Sequence, residues 1–266
     1  MELYLGTGGY SNEDWLGLLY PQGTRSSEFL KIYAQHFNGV ELNSSFYATP
    51  GIKAFKGMVD KSKARVRFSV KVHQSVTHKR DADDDTYQRL FESVAPLREV
   101  GMLGPFLLQF PYSFHRNPDN RRYLKAVVDR FTEERLVIEF RHWSWDNDQV
   151  RKACKALGVT FVSVDYPPLR GLPRSGLHVT SDIAYLRLHG RNTEKWWDGK
   201  DASERHDYRY TEAELKPIIE QLKAQESQLE QVYIMMQNTT KGHAIYNLRM
   251  LKTLLEAFGY DVPISC

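Results

Sequence analysis

Cysteine is nearly absent from the 266 residues: Cys154 and Cys266 are the only two, and the second is the last residue. That scarcity argues against a scaffold held by disulfides, and without a CxxC pair it argues against a zinc ribbon or a dithiol redox motif. Cys154 reads as a small apolar residue on a helix. Long apolar runs are missing too. The opening MELYLGTGGYSNEDW has no basic leader ahead of an apolar stretch, and no later segment approaches the roughly 20 apolar residues that cross a bilayer. The expectation is a cytoplasmic chain with no membrane partner. An excess of one charge is also lacking. With 36 basic and 33 acidic residues the net charge is +3, too mild by itself to imply nucleic acid. The glycines at 6, 8 and 9 lack the spacing of a dinucleotide loop and are followed by Tyr10-Ser11 rather than a helix. There is no Walker loop, nucleophile elbow or Ser-His-Asp arrangement, which disfavours nucleotide-driven chemistry and covalent acyl transfer.

What is present is alternation. Hydrophobic residues make up 41% and charged residues 26%, values that suit a soluble chain with a core of normal size. Short β-rich runs at 3–8, 39–43, 67–73, 105–111, 136–142, 160–166, 183–190 and 231–238 alternate with helical patterns. The helices are expected at 28–36, 52–61, 87–99, 120–131, 146–157, 212–225 and 243–258, with Asp146 able to cap the fifth. The stretch after the sixth run is rich in Pro and Gly and carries no convincing helix. Eight strands, seven of them followed by a helix, predict a (β/α)8 TIM barrel in a single domain over 1–266. The alternative is a doubly wound open sheet.

Strand parity then locates a site. Side chains on a strand alternate between two faces, and the face meeting the helices must be apolar. Val40 and Leu42 oppose Glu41 and Asn43; Phe68, Val70 and Val72 oppose Ser69, Lys71 and His73. Ile138 and Phe140 oppose Glu139 and Arg141, and Leu186 and Leu188 oppose Arg187 and His189. Gln109, Asp165 and Gln237 extend the polar set, and Thr7 closes the first strand. The polar residues gather at the C-terminal end of each run, where barrel enzymes build their sites. Buried charges can simply pair with one another, but ion pairs stabilise less than apolar packing, so this many for structure alone would be costly. Aromatics surround the same mouth: Phe46, Tyr47, Tyr112, Trp143, Trp145 and Tyr166, with Tyr10, Trp15 and Tyr20 in the first loop. The long loop after the seventh strand carries Lys195, Trp196, Trp197, Lys200 and Arg205 and is a candidate lid.

These motifs resemble the YecE-like family, catalogued as a domain of unknown function (number 72). The resemblance covers almost the whole chain. It rests on GTGGYSNEDW, FNGVELNSSFYATP, FSVKVHQSVTH, LGPFLLQFP, VIEFRHWSW, YLRLHGR and Gln237-Asn238-Thr239. One departure is Gly8-Gly9, where the family pattern has serine and glycine before an aromatic, which alters a hydroxyl near the first loop. The resemblance implies a TIM barrel similar in type to the endonuclease IV and xylose isomerase class. It supplies no reaction, and fold analogy is a weak warrant for chemistry.

Glu41, His73, Glu139, Asp165 and His189 form a mixed His/carboxylate set of the kind that holds zinc or manganese. Against a metal stand the missing HxxEH-like spacing and the cations Lys71, Arg141 and Arg187 at the same mouth. The expectation is therefore no metal or cofactor, with a divalent ion as the alternative. In the metal-free reading, Lys71, Arg141 and Arg187 clamp a phosphate or carboxylate. Glu139, or failing it Glu41, is the general base, and His189 its acid partner. Asn43, Tyr47, His73, Gln109, Trp143, Asp165, Gln237 and Asn238 complete the substrate-binding set. The function expected is a hydrolase or phosphodiesterase acting on an anionic, phosphorylated or nucleic-acid-like substrate. A non-catalytic binding protein for an anionic small molecule or single-stranded nucleic acid is the alternative.

Overall fold

The structure is a computed structural model that describes residues 1–265; Cys266 lies outside the described residues. The strands are β1 (Glu2–Thr7), β2 (Gly39–Leu42), β3 (Arg67–Lys71), β4 (Leu103–Phe110), β5 (Leu136–Phe140), β6 (Thr160–Phe161), β7 (Ser163–Asp165), β8 (Ile183–Leu188) and β9 (Gln231–Met236). Between and after them run α1 (Phe29–His36), α2 (Ile52–Ser62), α3 (Asp84–Ser93), α4 (Ala95–Glu99), α5 (Pro118–Val128) and α6 (Asp148–Ala156). A short α7 (Ala202–Arg205), then α8 (Glu212–Gln225) and α9 (His243–Ala257), complete the layer. The spatial order is β6-β5-β4-β3-β2-β1-β9-β8-β7, and every pairing is parallel. This is a nearly closed TIM-type barrel. Each of the eight expected strands is present, with the sixth split at Val162. Its first half pairs with β5 and its second with β8, so one extended segment bridges the seam of the ring.

The helices follow the expected pattern with two local differences. The pattern over 87–99 becomes α3 and α4, because Pro96 near the start of α4 has no N–H for a continuous helix. The fifth expected helix starts at Asp148. Asn147 caps it by accepting from the Val150 N–H at 3.1 Å, while Asp146 is occupied by Arg151 and Arg174.

Packing separates the two faces as parity requires. Val40, Phe68, Val70, Leu108, Ile138, Leu186 and Ile234 join the core between strands and helices. Leu107, Val137, Tyr185, Tyr233 and Met235 fill the barrel interior. Tyr4 and Tyr185 flank Tyr233 with ring centroids 4.7 and 5.5 Å away, plugging the lower barrel with apolar rings. At the β1–β2 junction a side chain on Gly6 would lie 1.8 Å from the Gly39 carbonyl oxygen. Only glycine allows that approach, and the Tyr33 hydroxyl bonds both the Thr7 N–H and the Gly39 carbonyl there.

Candidate active site at the barrel mouth

Above the tyrosine layer sits a ring of ions supplied by inward positions of β2, β5 and β8. Arg187 is buried at 2% exposure, and Glu41 and Glu139 are fully buried. The Arg187 guanidinium donates to both oxygens of Glu41, at 2.9 and 2.6 Å, and also to Glu139 and Gln237. Tyr185 donates to Glu41 at 2.9 Å and Tyr166 to Glu139 at 2.6 Å. Arg141 Nε lies 2.5 Å from Glu139. Every carboxylate oxygen in this layer therefore has a donor. Burial pushes the Glu139 carboxyl up, but Arg141 and Arg187 outweigh it and hold the group well below the usual carboxylate range. The arginine is driven in the opposite direction: burial opposes its charge, but Glu139 and Glu41 raise its pKa further.

A cavity of about 370 Å³ opens over this layer. Phe46, Tyr47, Tyr112, Trp196 and Trp197 supply its aromatic walls, and Lys71, Arg141 and Arg205 its cations, with His78 and His206 beside them. Among the described residues no carboxylate lines it. Lys71 comes from the end of β3 and donates to Gln109 at 2.9 Å, with its ammonium 4.4 Å from the Phe46 ring centroid. Burial, then Arg187 and Arg141, lower its pKa to about 7. Arg205 stacks 5.5 Å from the Trp196 ring, and its buried Nε has no hydrogen-bond partner. Burial and the neighbouring Arg141 lower its pKa as well. His78 and His206 are both pushed down to about 4, by burial first, and then by Lys71 and Arg141 for His78 and by Arg141 and Arg205 for His206. Both imidazoles are thus neutral at neutral pH.

Local structure explains how these groups converge. A π-turn at Ser75–Lys79 brings His78 edge-on to Phe46, 4.7 Å between centroids. Ser45 ties the β2 loop to β3 by donating to the carbonyls of Leu42 and Lys71, both at 2.6 Å. The expected lid folds over the mouth with Trp196 buried against Tyr166 and Trp197 exposed. His206 anchors it through a 2.9 Å bond to the His189 carbonyl.

Of the residues expected from the sequence, Tyr47, Lys71, Gln109 and Arg141 line the cavity. Glu41, Glu139, Arg187 and Gln237 make up the ionic layer. His189 adjoins it, buried, with Nε2 3.7 Å from Glu139 and neither ring nitrogen hydrogen-bonded. Burial and Arg141 hold its pKa well below the ordinary value. Asn43 approaches Gln237 at 3.5 Å, and its buried Oδ1 is unpaired. A Cβ at Gly8 would stand 2.3 Å from Gln237 and 2.7 Å from Asn43, so a serine at this position would require both side chains to shift.

Four residues fall outside both the cavity and the ionic layer beneath it. Asp165 is turned away because strand six has the opposite parity to the one expected: Val162, Val164 and Tyr166 fill the interior. Asp165 instead accepts two bonds from Arg191, both at 2.9 Å, and one from Tyr210 at 2.7 Å. His73 lies beyond the end of β3 and turns to Ser75 and the Tyr47 carbonyl. Asn238 is buried against Asn247 and the Tyr208 carbonyl. Trp143, at 57% exposure, stands on the surface beside His142. The five residues of the mixed His/carboxylate set consequently do not converge, and among the described residues no group of three or more His, Cys, Asp or Glu is placed to hold a metal. His78 and His206 escaped the sequence reading because both lie in loops, where parity carries no signal.

Comparison with known proteins places the chain among relatives of similar size. A family model described as "Protein of unknown function DUF72" matches residues 4–263. The UPF0759 protein YunF of Bacillus subtilis is 29% identical over 270 residues, covering 96% of this chain and 95% of the relative. The crystal structure of a DUF72 family protein from Thermotoga maritima superposes with a TM-score of 0.88 at 37% identity, over 96% of this chain and 100% of that one. A DUF72 family protein from Enterococcus faecalis gives a TM-score of 0.85 at 24% identity, covering 99% of each chain.

Proposed function

The chain belongs to the DUF72 family of proteins of unknown function, and from that premise we propose that its barrel mouth binds an anionic, ring-bearing substrate and acts on it as a hydrolase or phosphodiesterase. The observation that carries this reading is a pair of cations without counter-ions. Lys71 and Arg205 face a cavity that, among the described residues, no carboxylate lines, while Arg141 is paired with Glu139. Partly buried charges are unfavourable until an opposite charge reaches them, and a phosphate or carboxylate group supplies it. Arg141 and Arg205 are placed to clamp that group, with Tyr112 and Trp197 flanking an attached ring such as a nucleobase.

In this proposal Glu139, Glu41 and His189 are positioning residues. Their layer holds Arg141, and the depressed basicity of Glu139 suits a permanent anion better than a base. The proton passes through Lys71, whose amine is held near neutrality. With the anion bound it is an ammonium that gives its proton to the leaving oxygen as the phosphoester bond breaks and takes one back from the attacking water. Arg141 and Arg205 stabilise the charge on the phosphoryl oxygens. Full occupation of the carboxylates also favours a second reading, a binding protein for an anionic small molecule or single-stranded nucleic acid that performs no chemistry.

Thermal-shift screening of phosphorylated metabolites and short oligonucleotides tests the shared claim, because a ligand of the native state raises Tm. A phosphate-bearing compound is expected to stabilise the wild type, and Arg205→Ala to bind it roughly 10-fold more weakly. Equal affinity in the variant would remove Arg205 from the site. Turnover of that compound separates the enzyme from the binding protein.

A further inference from the structure

A second cavity, of about 250 Å³, lies away from the mouth, between α5 and α6 in the helical layer. Leu124 and Val128 of α5, Ile138 of β5 and Trp145 form one side. The other is a stripe of α6 at helical spacing, Val150, Ala153, Cys154 and Leu157. Ala153 and Cys154 are small, which leaves the gap unfilled. Arg116, Arg121, Lys125 and Gln149 also line it, and among the described residues no carboxylate does. Lys125 is paired with Asp129 at 2.5 Å. Arg121 has no side-chain partner among the described residues. Arg116 donates a terminal N–H to Gln149 at 2.6 Å, while its buried Nε is unpaired.

We infer that this cavity is a binding site for a free medium-chain alkanoate, with the alkyl tail between α5 and α6 and the carboxylate on Arg116 and Arg121. Apolar walls with a rim of Arg116, Arg121, Lys125 and the neutral Gln149 are complementary to that amphiphile and to neither a sugar nor a metal ion. An enclosed apolar cavity of about 150 Å³ admits benzene; this one is open to solvent along Ala153 and Leu157, and its volume suits a tail of roughly eight to ten carbons. The site shares no residue with the mouth cavity, and the inference stands apart from the function proposed there.

Titration calorimetry with hexanoate, octanoate and decanoate tests it. Each added methylene should tighten binding roughly fourfold until the cavity is full. Arg121→Ala should weaken octanoate about 10-fold, and Ala153→Phe, which fills the tail space, should abolish binding with the unfolding transition retained. Ala153→Leu, a smaller filling, serves if phenylalanine unfolds the chain. Arg205→Ala, at the mouth, should bind octanoate as the wild type does. Affinity independent of chain length, undiminished binding by the filled variants, or loss in Arg205→Ala would overturn the assignment. So would capture by anionic phospholipid vesicles without binding of free alkanoate, or a dimer in sedimentation that Ala153→Phe dissolves.

Discussion

Arg187→Leu is expected to lower the free energy of unfolding by about 3–5 kcal/mol, the range found when one partner of a buried ion pair is removed. Two carboxylates depend on this side chain. Glu41 would keep only Tyr185 and Gln237 as donors, and Glu139 only Tyr166, with Arg141 as its ion-pair neighbour. Leucine fills part of the volume but leaves two negative charges facing each other in the barrel. Urea unfolding followed by circular dichroism measures the loss. Adding Glu41→Gln and Glu139→Gln to the same chain should recover most of it, since the uncompensated charges go with them. A loss below about 1 kcal/mol, typical of an exposed pair, would mean that this layer is not the anchor described. The pH dependence has a definite sign. Because the folded state depresses the Glu139 pKa, its contribution is present above the ordinary carboxylate pKa and disappears as pH falls through the folded value. The wild type should therefore lose stability in acid, and the triple variant should lose less.

Lys71→Met should lower turnover of a phosphoester substrate roughly 10²–10⁴-fold, the contribution typical of a positioned proton-transfer group. The same variant should gain stability near neutral pH. Burial and two arginines lower the folded pKa of Lys71 to about 7, so between there and the ordinary lysine value the unfolded chain binds more protons, and stability rises with pH. At and below pH 7 the ammonium is a burden that methionine removes. Binding of an anion should reverse the balance by restoring the ammonium. Calorimetry in buffers of different ionisation enthalpy at pH 8 should thus detect proton uptake by the wild type and none by Lys71→Met. Lower stability of Lys71→Met at pH 7 together with unchanged proton uptake would remove Lys71 from this role.

Much of this architecture was legible in the sequence because the barrel has two unlike faces. Val70 and Phe140 had to meet helices, which forced Lys71 and Arg141 inward, and the structure confirms those directions. The reading failed where that constraint is absent. Both faces of the sixth strand carry apolar residues, Phe161 outward and Val162, Val164 and Tyr166 inward, so alternation did not fix its direction, and Asp165 faces outward to Arg191. Past the strand ends, loop geometry replaces alternation, which is why His73 and Trp143 leave the cavity while His78 and His206 enter it. Pairing was also illegible. Parity brought Glu41, Glu139, Arg141 and Arg187 into one volume, but only distances show that Arg187 takes both acids and leaves Lys71 and Arg205 without a counter-ion.

The central claim is that the mouth cavity is an anion site built on those unpaired cations. A crystal structure with adenosine 5′-monophosphate tests it most directly. The account predicts the phosphate within hydrogen-bond reach of Arg141 and Arg205, Lys71 turned toward it, and the base against Trp197 and Tyr112. A nucleotide bound elsewhere, or seated in the mouth with its phosphate directed to solvent, would contradict it.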